Sequence, residues 1–172
     1  ILPDDYRGAC YTIGHHAFYS HDNITSLTIP YCVTSIGNSA FEACSNMKEI
    51  FLSESVSSIG NNAFSNTHIE SIVIPECVTY LSLSAFIGCY NLKFITLPEN
   101  LIEVYSYSSF TSCSNEDKVV LKGYKDSKCF DFAKENGIKF MYINDGIEYM
   151  LGDYDGNTEI DAADASAILT TF

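Results

Sequence analysis

The chain has 172 residues, 47% of them hydrophobic, and sets 9 Lys and Arg against 22 Asp and Glu, for a formal net charge of −13. That charge repels nucleic acid and anionic membrane surfaces, and the apolar content is too high for a disordered chain. No run of about 18 apolar residues could span a bilayer, and the length suits one domain with a core plus a small appendage.

The opening residues Ile1-Leu2-Pro3 read as the end of a strand, and the segment carries neither a start Met nor a signal-peptide pattern. Asp4 to Thr12 is longer than the equivalent stretch further on, so additional repeats are expected before residue 1. From there the chain repeats. Gly-x-x-Ala-Phe or Ser-Ala-Phe places Phe18, Phe41, Phe64 and Phe86, then a degenerate Phe110, at spacings of 23, 23, 22 and 24. After each Phe comes a short β-type run: Leu27-Thr28-Ile29, Ile50-Phe51-Leu52, Ile72-Val73-Ile74, Ile95-Thr96-Leu97 and Val119-Val120-Leu121.

A segment of the Val-Thr-Ser-Ile-Gly type, at Val33 to Gly37, Val56 to Gly60 and Val78 to Leu81, then closes the coil. One coil cannot bury its apolar side alone. Stacking puts Ile13, Ile36, Ile59 and Leu81 above one another beside the Phe column, with one parallel strand per coil. Asn23, Asn46, Asn91 and Asn115 precede the strands, where their amides suit bonds to the turn backbone of neighbouring coils.

Alternation turns Leu27, Ile29, Ile50, Leu52, Ile72, Ile74, Ile95 and Leu97 inward. It leaves Thr28, Phe51, Val73, Thr96 and Val120 in one outward column and Ser26, Glu49, Ser71, Phe94 and Lys118 in the next. Phe51, Val73, Phe94 and Val120 together make a candidate ligand face for a protein or glycan. Sheet propensity alone, or cover by the C-terminal tail, would account for the same residues.

The repeat resembles the BspA-type leucine-rich repeat of bacterial surface and secreted proteins, over roughly residues 1–145. The resemblance implies an α/β solenoid, a right-handed stack with one short parallel strand per coil of ~23 residues. It also implies a C-terminal helix-strand cap over Lys122 to Phe140, where Ser127 is a plausible helix N-cap and Gly137 a plausible residue just past its end. Residues 146–150 then read as a linker.

Residues 151–172 form a different module. Asp153, Asp155, Asn157, Asp161 and Asp164 fall at positions 1, 3, 5, 9 and 12 of a calcium loop. The backbone carbonyl of Glu159 and a water would complete the oxygen shell, and Ile160 would point inward. Thr158 stands where such loops commonly have Gly, which alters the loop geometry or weakens calcium binding. The following Asp164-Ala165-Ser166-Ala167-Ile168-Leu169 resembles the start of a dockerin, of which this is one loop-helix half. That resemblance implies a cohesin partner on a scaffoldin, met by Ala162, Ala163, Thr170 and Thr171, and attachment to a cellulosome or cell surface. A lone half would leave Ile168, Leu169 and Phe172 to pack elsewhere.

The remaining reactive residues follow the repeat. Seven Cys cannot all pair internally, and five of them, Cys32, Cys44, Cys77, Cys89 and Cys113, recur by coil position, which means core filling. A Cys89–Cys113 disulfide between adjacent coils is geometrically open. His15 and His16 occupy places held elsewhere by Asn38-Ser39 and Asn61-Asn62, a solvated turn rather than a metal site. No G-x-S-x-G, H-E-x-x-H or phosphate loop is present, so an enzyme is not expected. The sequence therefore reads as a secreted, non-catalytic binding protein tethered through its calcium-dependent dockerin-like tail. The alternative is a repeat appendage of a larger secreted peptidase or glycoside hydrolase.

Overall fold

The computed structural model describes residues 2–4, 9–105, 119–124, 127–144 and 147–151. Its strands in chain order are β1 (Tyr11–Ile13), β2 (Ser26–Thr28), β3 (Val33–Ile36), β4 (Glu49–Phe51), β5 (Ser58–Ile59) and β6 (Ser71–Val73). These are followed by β7 (Tyr80–Ser82), β8 (Phe94–Thr96), β9 (Glu103–Tyr105), β10 (Val120–Gly123), helix α1 (Lys128–Glu135), β11 (Lys139–Asn144) and β12 (Ile147–Leu151). Up to β10, even and odd strands stack on two sides of a solenoid, as β2–β4 and β6–β8–β10 on one side and β1–β3–β5 and β7–β9 on the other; β11 and β12 extend the β6–β8–β10 sheet, and every pairing is parallel except β11 with β12.

Each coil thus carries two short strands, where one was expected. The Val-Thr-Ser-Ile segments are not mere closing turns. Val33 and Ile36 are buried and Thr34 and Ser35 half-buried, a spacing of three that does not follow strict strand alternation, and the β1–β3 pairing shifts register between Tyr11 and Thr12. Stacking brings equivalent segments to pairing distance, so Ile13 meets Ile36 and Ile36 meets Ile59 in register.

Stacking also builds the core. Phe41, Phe64 and Phe86 are fully buried, and with half-buried Phe18 they form a column of near-parallel rings 5.2, 5.8 and 5.9 Å apart. Beside them Ile13, Ile36, Ile59 and Leu81 are buried on one side, and Ile50, Ile72, Ile95 and Leu121 on the other. Where the chain turns, alternate N–H groups of one coil donate to carbonyls of the next: His16 to Asn38, Phe18 to Ala40 and Ser20 to Glu42, at 3.0, 2.8 and 2.8 Å. Non-glycine residues are left-handed at matching places along the turns, His16, Ser39 and Asn62 in one column and Ser20, Ala43 and Asn66 in another, and all of these but Asn62 are donors in the ladder.

Close approach of the coils explains the repeat glycines. A Cβ on Gly37 would lie 2.8 Å from the carbonyl carbon of Gly14, and one on Gly60 would lie 2.7 Å from that of Gly37. In the fourth coil Ser82 takes this place, and the turn becomes a 3-10 helix, Leu83–Phe86, capped by the Ser82 hydroxyl accepting from the Ser84 N–H.

At the far end the Ser127 hydroxyl accepts from the Phe130 N–H at 3.3 Å and starts α1, and Gly137 follows the helix at φ +64. β11 then pairs with β10, and Phe140 occupies space that Gly123 leaves open, 3.1 Å from where a Cβ would stand. Ile147–Leu151, within and just beyond the stretch read as a linker, continues this sheet as β12.

Because Phe64 lies between two rings while Phe18 ends the column, Phe64→Ala is expected to cost about 3–5 kcal/mol and Phe18→Ala clearly less. Gly37→Ala, driven against backbone, is expected to cost about 1–3 kcal/mol. Urea unfolding followed by circular dichroism checks both, and equal losses at Phe18 and Phe64 would contradict the stack.

Candidate interaction face

The even strands carry the outward face anticipated from alternation, with one change of register. Thr28 pairs with Phe51 and Val73 with Thr96, and the offset continues between β4 and β6 through the Glu70 N–H donating to the Lys48 carbonyl at 3.3 Å. On β10, however, Lys122 stands opposite Thr96, while Val120 stands opposite Phe94 and is only 7% exposed. Val120 is therefore not part of the exposed face. A two-residue slip keeps every side chain on the same side of the sheet, so alternation alone does not detect it.

Phe51 and Val73 are 57% and 62% exposed on neighbouring strands. Phe94 is half-buried, and the Lys122 ammonium lies 4.4 Å from its ring centroid. In the row just ahead of the strands, Lys93 pairs with Glu70 at 2.9 Å. That hydrogen bond and charge hold the Glu70 carboxyl below its ordinary pKa. Glu49 accepts the Ser26 hydroxyl at 3.3 Å. An open cleft of about 330 Å³ at the edge of the face is lined by Glu70, Tyr90, Asn91, Leu92 and Lys93. A second of about 350 Å³ lies at the first coil, between Leu2, Phe18, Ile24 and Leu27.

The thiols and imidazoles serve the stack. Cys44 Sγ donates to the Phe18 carbonyl at 3.0 Å, and Cys89 Sγ to that of Phe64 at 3.1 Å, each reaching the preceding coil. Burial raises the pKa of both thiols, and that of Cys129 to about 11, which removes thiolate character. Cys32 is buried as expected of core filling, but Cys77, at the same coil position, is exposed. His15 Nδ1 accepts the Asn38 N–H at 2.9 Å, and Asn38 Oδ1 accepts the Asn61 N–H at 3.0 Å, so this turn bonds coil to coil. Asn46 donates to the Asp22 carbonyl at 2.8 Å, as its place before the strand suggested, though Asn23, Asn46 and Asn91 are all exposed. Asp22 accepts both the N–H and the hydroxyl of Ser45, which lowers its carboxyl pKa.

Among the described residues no cluster of three or more His, Cys, Asp or Glu could hold a metal ion. The calcium-loop residues Asp153, Asp155, Asn157, Glu159, Asp161 and Asp164 lie outside the described residues, as do Ala162, Ala163, Thr170 and Thr171. So do Phe110, Cys113, Asn115 and Lys118. Alternation does not find Lys122 on the face, because only the pairing register of β10 with β8 places it beside Thr96.

The model of the BspA type leucine rich repeat region matches six copies across residues 11–148. The chain belongs to the BspA-type leucine-rich repeat family. Among solved structures it is similar to a leucine-rich repeat protein from Bacteroides ovatus, with 25% identity and a TM-score of 0.59 over 74% of this chain and 32% of that one. It is also similar to the Treponema pallidum leucine rich repeat protein, with 22% identity and a TM-score of 0.61 over 70% of this chain and 56% of that one. A leucine rich cell surface protein from Faecalibacterium prausnitzii shares 23% identity and a TM-score of 0.52 over 70% of this chain and 32% of its own. The chain thus spans less than two thirds of each neighbour's length. No curated protein matches it. Among the described residues no helix is long and apolar enough to cross a membrane.

Burial and the raised thiol pKa values set an order of reactivity. Iodoacetamide near neutral pH is expected to label the exposed Cys10 and Cys77 in the native protein, and Cys44, Cys89 and Cys129 only after unfolding. Peptide mass mapping checks this, and native labelling of Cys89 would contradict the packing.

Proposed function

We propose that this BspA-type repeat is a non-catalytic interaction module that works at the cell surface or after secretion and receives a protein partner on the β4–β6–β8–β10 face. The observation that carries the reading is the exposed pair Phe51 and Val73 on the neighbouring strands β4 and β6 of two adjoining sheets, an apolar patch where solvent would select polar residues. The cell-surface assignment of the Faecalibacterium neighbour supports the location. A catalytic role for Cys44, Cys89 or His15 loses support because each is engaged in a coil-to-coil bond.

Attachment is assigned to the tail. Asp153, Asp155, Asn157, Asp161 and Asp164, with the Glu159 carbonyl, have the spacing to hold calcium, and Ala162, Ala163, Thr170 and Thr171 would then face a cohesin domain. Only the ligand spacing and the dockerin-like string support this half of the proposal.

Each half has its own test. Phe51→Ser with Val73→Ser, both on exposed sites, is expected to leave the melting temperature unchanged and to abolish partner retention from a bacterial surface extract; equal retention would leave the patch without a role. Calorimetric titration of calcium into the full chain is expected to show binding that Asp153→Ala with Asp164→Ala removes. Heat that is identical in the variant would end the calcium assignment, and a panel of cohesins extends the same titration to the partner.

A further inference from the structure

The chain leaves the repeat on the sheet that carries the exposed apolar pair. β12, which ends at Leu151, is one edge of the sheet β12–β11–β10–β8–β6, and Val73 lies on β6 at the other edge. Four strand spacings separate them, about 19 Å, and Phe51 on β4 is one spacing further, about 24 Å. Residues 152–162 span up to roughly 36 Å when extended, so the residues after them can reach the pair across this one face.

Those residues have the pattern that such a surface accepts. Ala165, Ile168, Leu169 and Phe172 stand at i, i+3, i+4 and i+7, which on a helix is a single apolar stripe about 10 Å long. Ala163, Ala167, Thr170 and Thr171 fall on the opposite side. A helix this short is marginal in water and draws its stability from an apolar surface to lie on. Phe51 and Val73 offer one, bordered by the hydroxyls of Thr28, Ser71 and Thr96. Tyr80 on β7 and Ile102 just ahead of β9 are also exposed, but they lie on the odd-strand side, in a sheet that β12 does not join.

We propose that the chain's own C-terminal segment docks on this face, with Ile168, Leu169 and Phe172 against Phe51 and Val73, and holds it until a partner displaces the segment. The proposal rests on the reading of the face as an interaction surface and adds its regulation by an intramolecular competitor. Because the segment is tethered, its effective concentration at the face is on the order of millimolar, and a weak contact is enough to compete. The docked stripe leaves Ala163, Thr170 and Thr171, the residues assigned above to a cohesin, on the side turned away from the sheet.

Hydrogen exchange of the full chain, read by mass spectrometry, tests the contact. A chelating buffer keeps calcium from shortening the reach of residues 152–162. F51T/V73T, which copies Thr28 and Thr96 of the same column, is expected to speed exchange of residues 163–172 about tenfold and to leave the peptides of the Phe41 and Phe64 turns unchanged. I168S/L169S/F172S is expected to retain about threefold more partner from the surface extract than the unaltered chain. Equal exchange of residues 163–172 in the unaltered chain and F51T/V73T would overturn the docking, and equal retention in I168S/L169S/F172S would overturn the competition. Protection of residues 163–172 that grows with protein concentration would replace the intramolecular contact by one between two copies of the chain. Should F51T/V73T lose the extract partner while tail exchange is unchanged, the interaction face stands and only the docked tail falls. Tail protection that depends on Phe51 and Val73, with no partner retained by any variant, would instead remove the partner reading and leave the tail as the occupant of the face.

Discussion

The structure depends on coil meeting coil in register, because no coil has enough apolar surface to hold itself closed. The Phe column shows the constraint most directly. Rings 5.2 to 5.9 Å apart and nearly parallel leave no room for a coil to shift, and Gly37 and Gly60 remove the side chains that would hold the turns apart. The backbone follows the packing: left-handed residues that would be costly alone recur, and His16, Ser39, Ser20, Ala43 and Asn66 each donate an N–H to the next coil.

Register divides the residues into columns with different duties. Inner columns must stay apolar and of constant size, whereas outer columns on the same strands are released from packing and can differ from coil to coil. That freedom produces the sequence Thr28, Phe51, Val73, Thr96 and Lys122 across the face, which no packing rule requires. The thiols show the opposite case. Cys44 and Cys89 fill small inner places and spend their weak donors on carbonyls of the preceding coil, so a residue type associated with reactivity is structural here.

The same division bears on function. His15 and Asn38 accept backbone N–H groups of the following coil, and Asp22 is occupied by Ser45, so the polar side chains of the turns are committed to the stack. The even-strand sheet is different. It leaves the apolar side chains of Phe51 and Val73 exposed on neighbouring strands whose backbones are held by pairing with β2 and β8.

The recurrence of Phe18, Phe41, Phe64 and Phe86 in the sequence was enough to determine a stacked solenoid, its inner columns and the outward placing of Phe51 and Val73, because spacing and alternation translate directly into position in a repeat. Helix α1 was also legible from Ser127 and Gly137, which act through local backbone geometry. Only the tertiary structure decided that each coil has two strands, since the Val33–Ile36 segment becomes a strand by pairing with its copies on neighbouring coils. It likewise decided that Lys122, not Val120, stands beside Thr96: side chains alternate with a period of two, a two-residue slip preserves every face, and only pairing with β8 and β11 fixes the column.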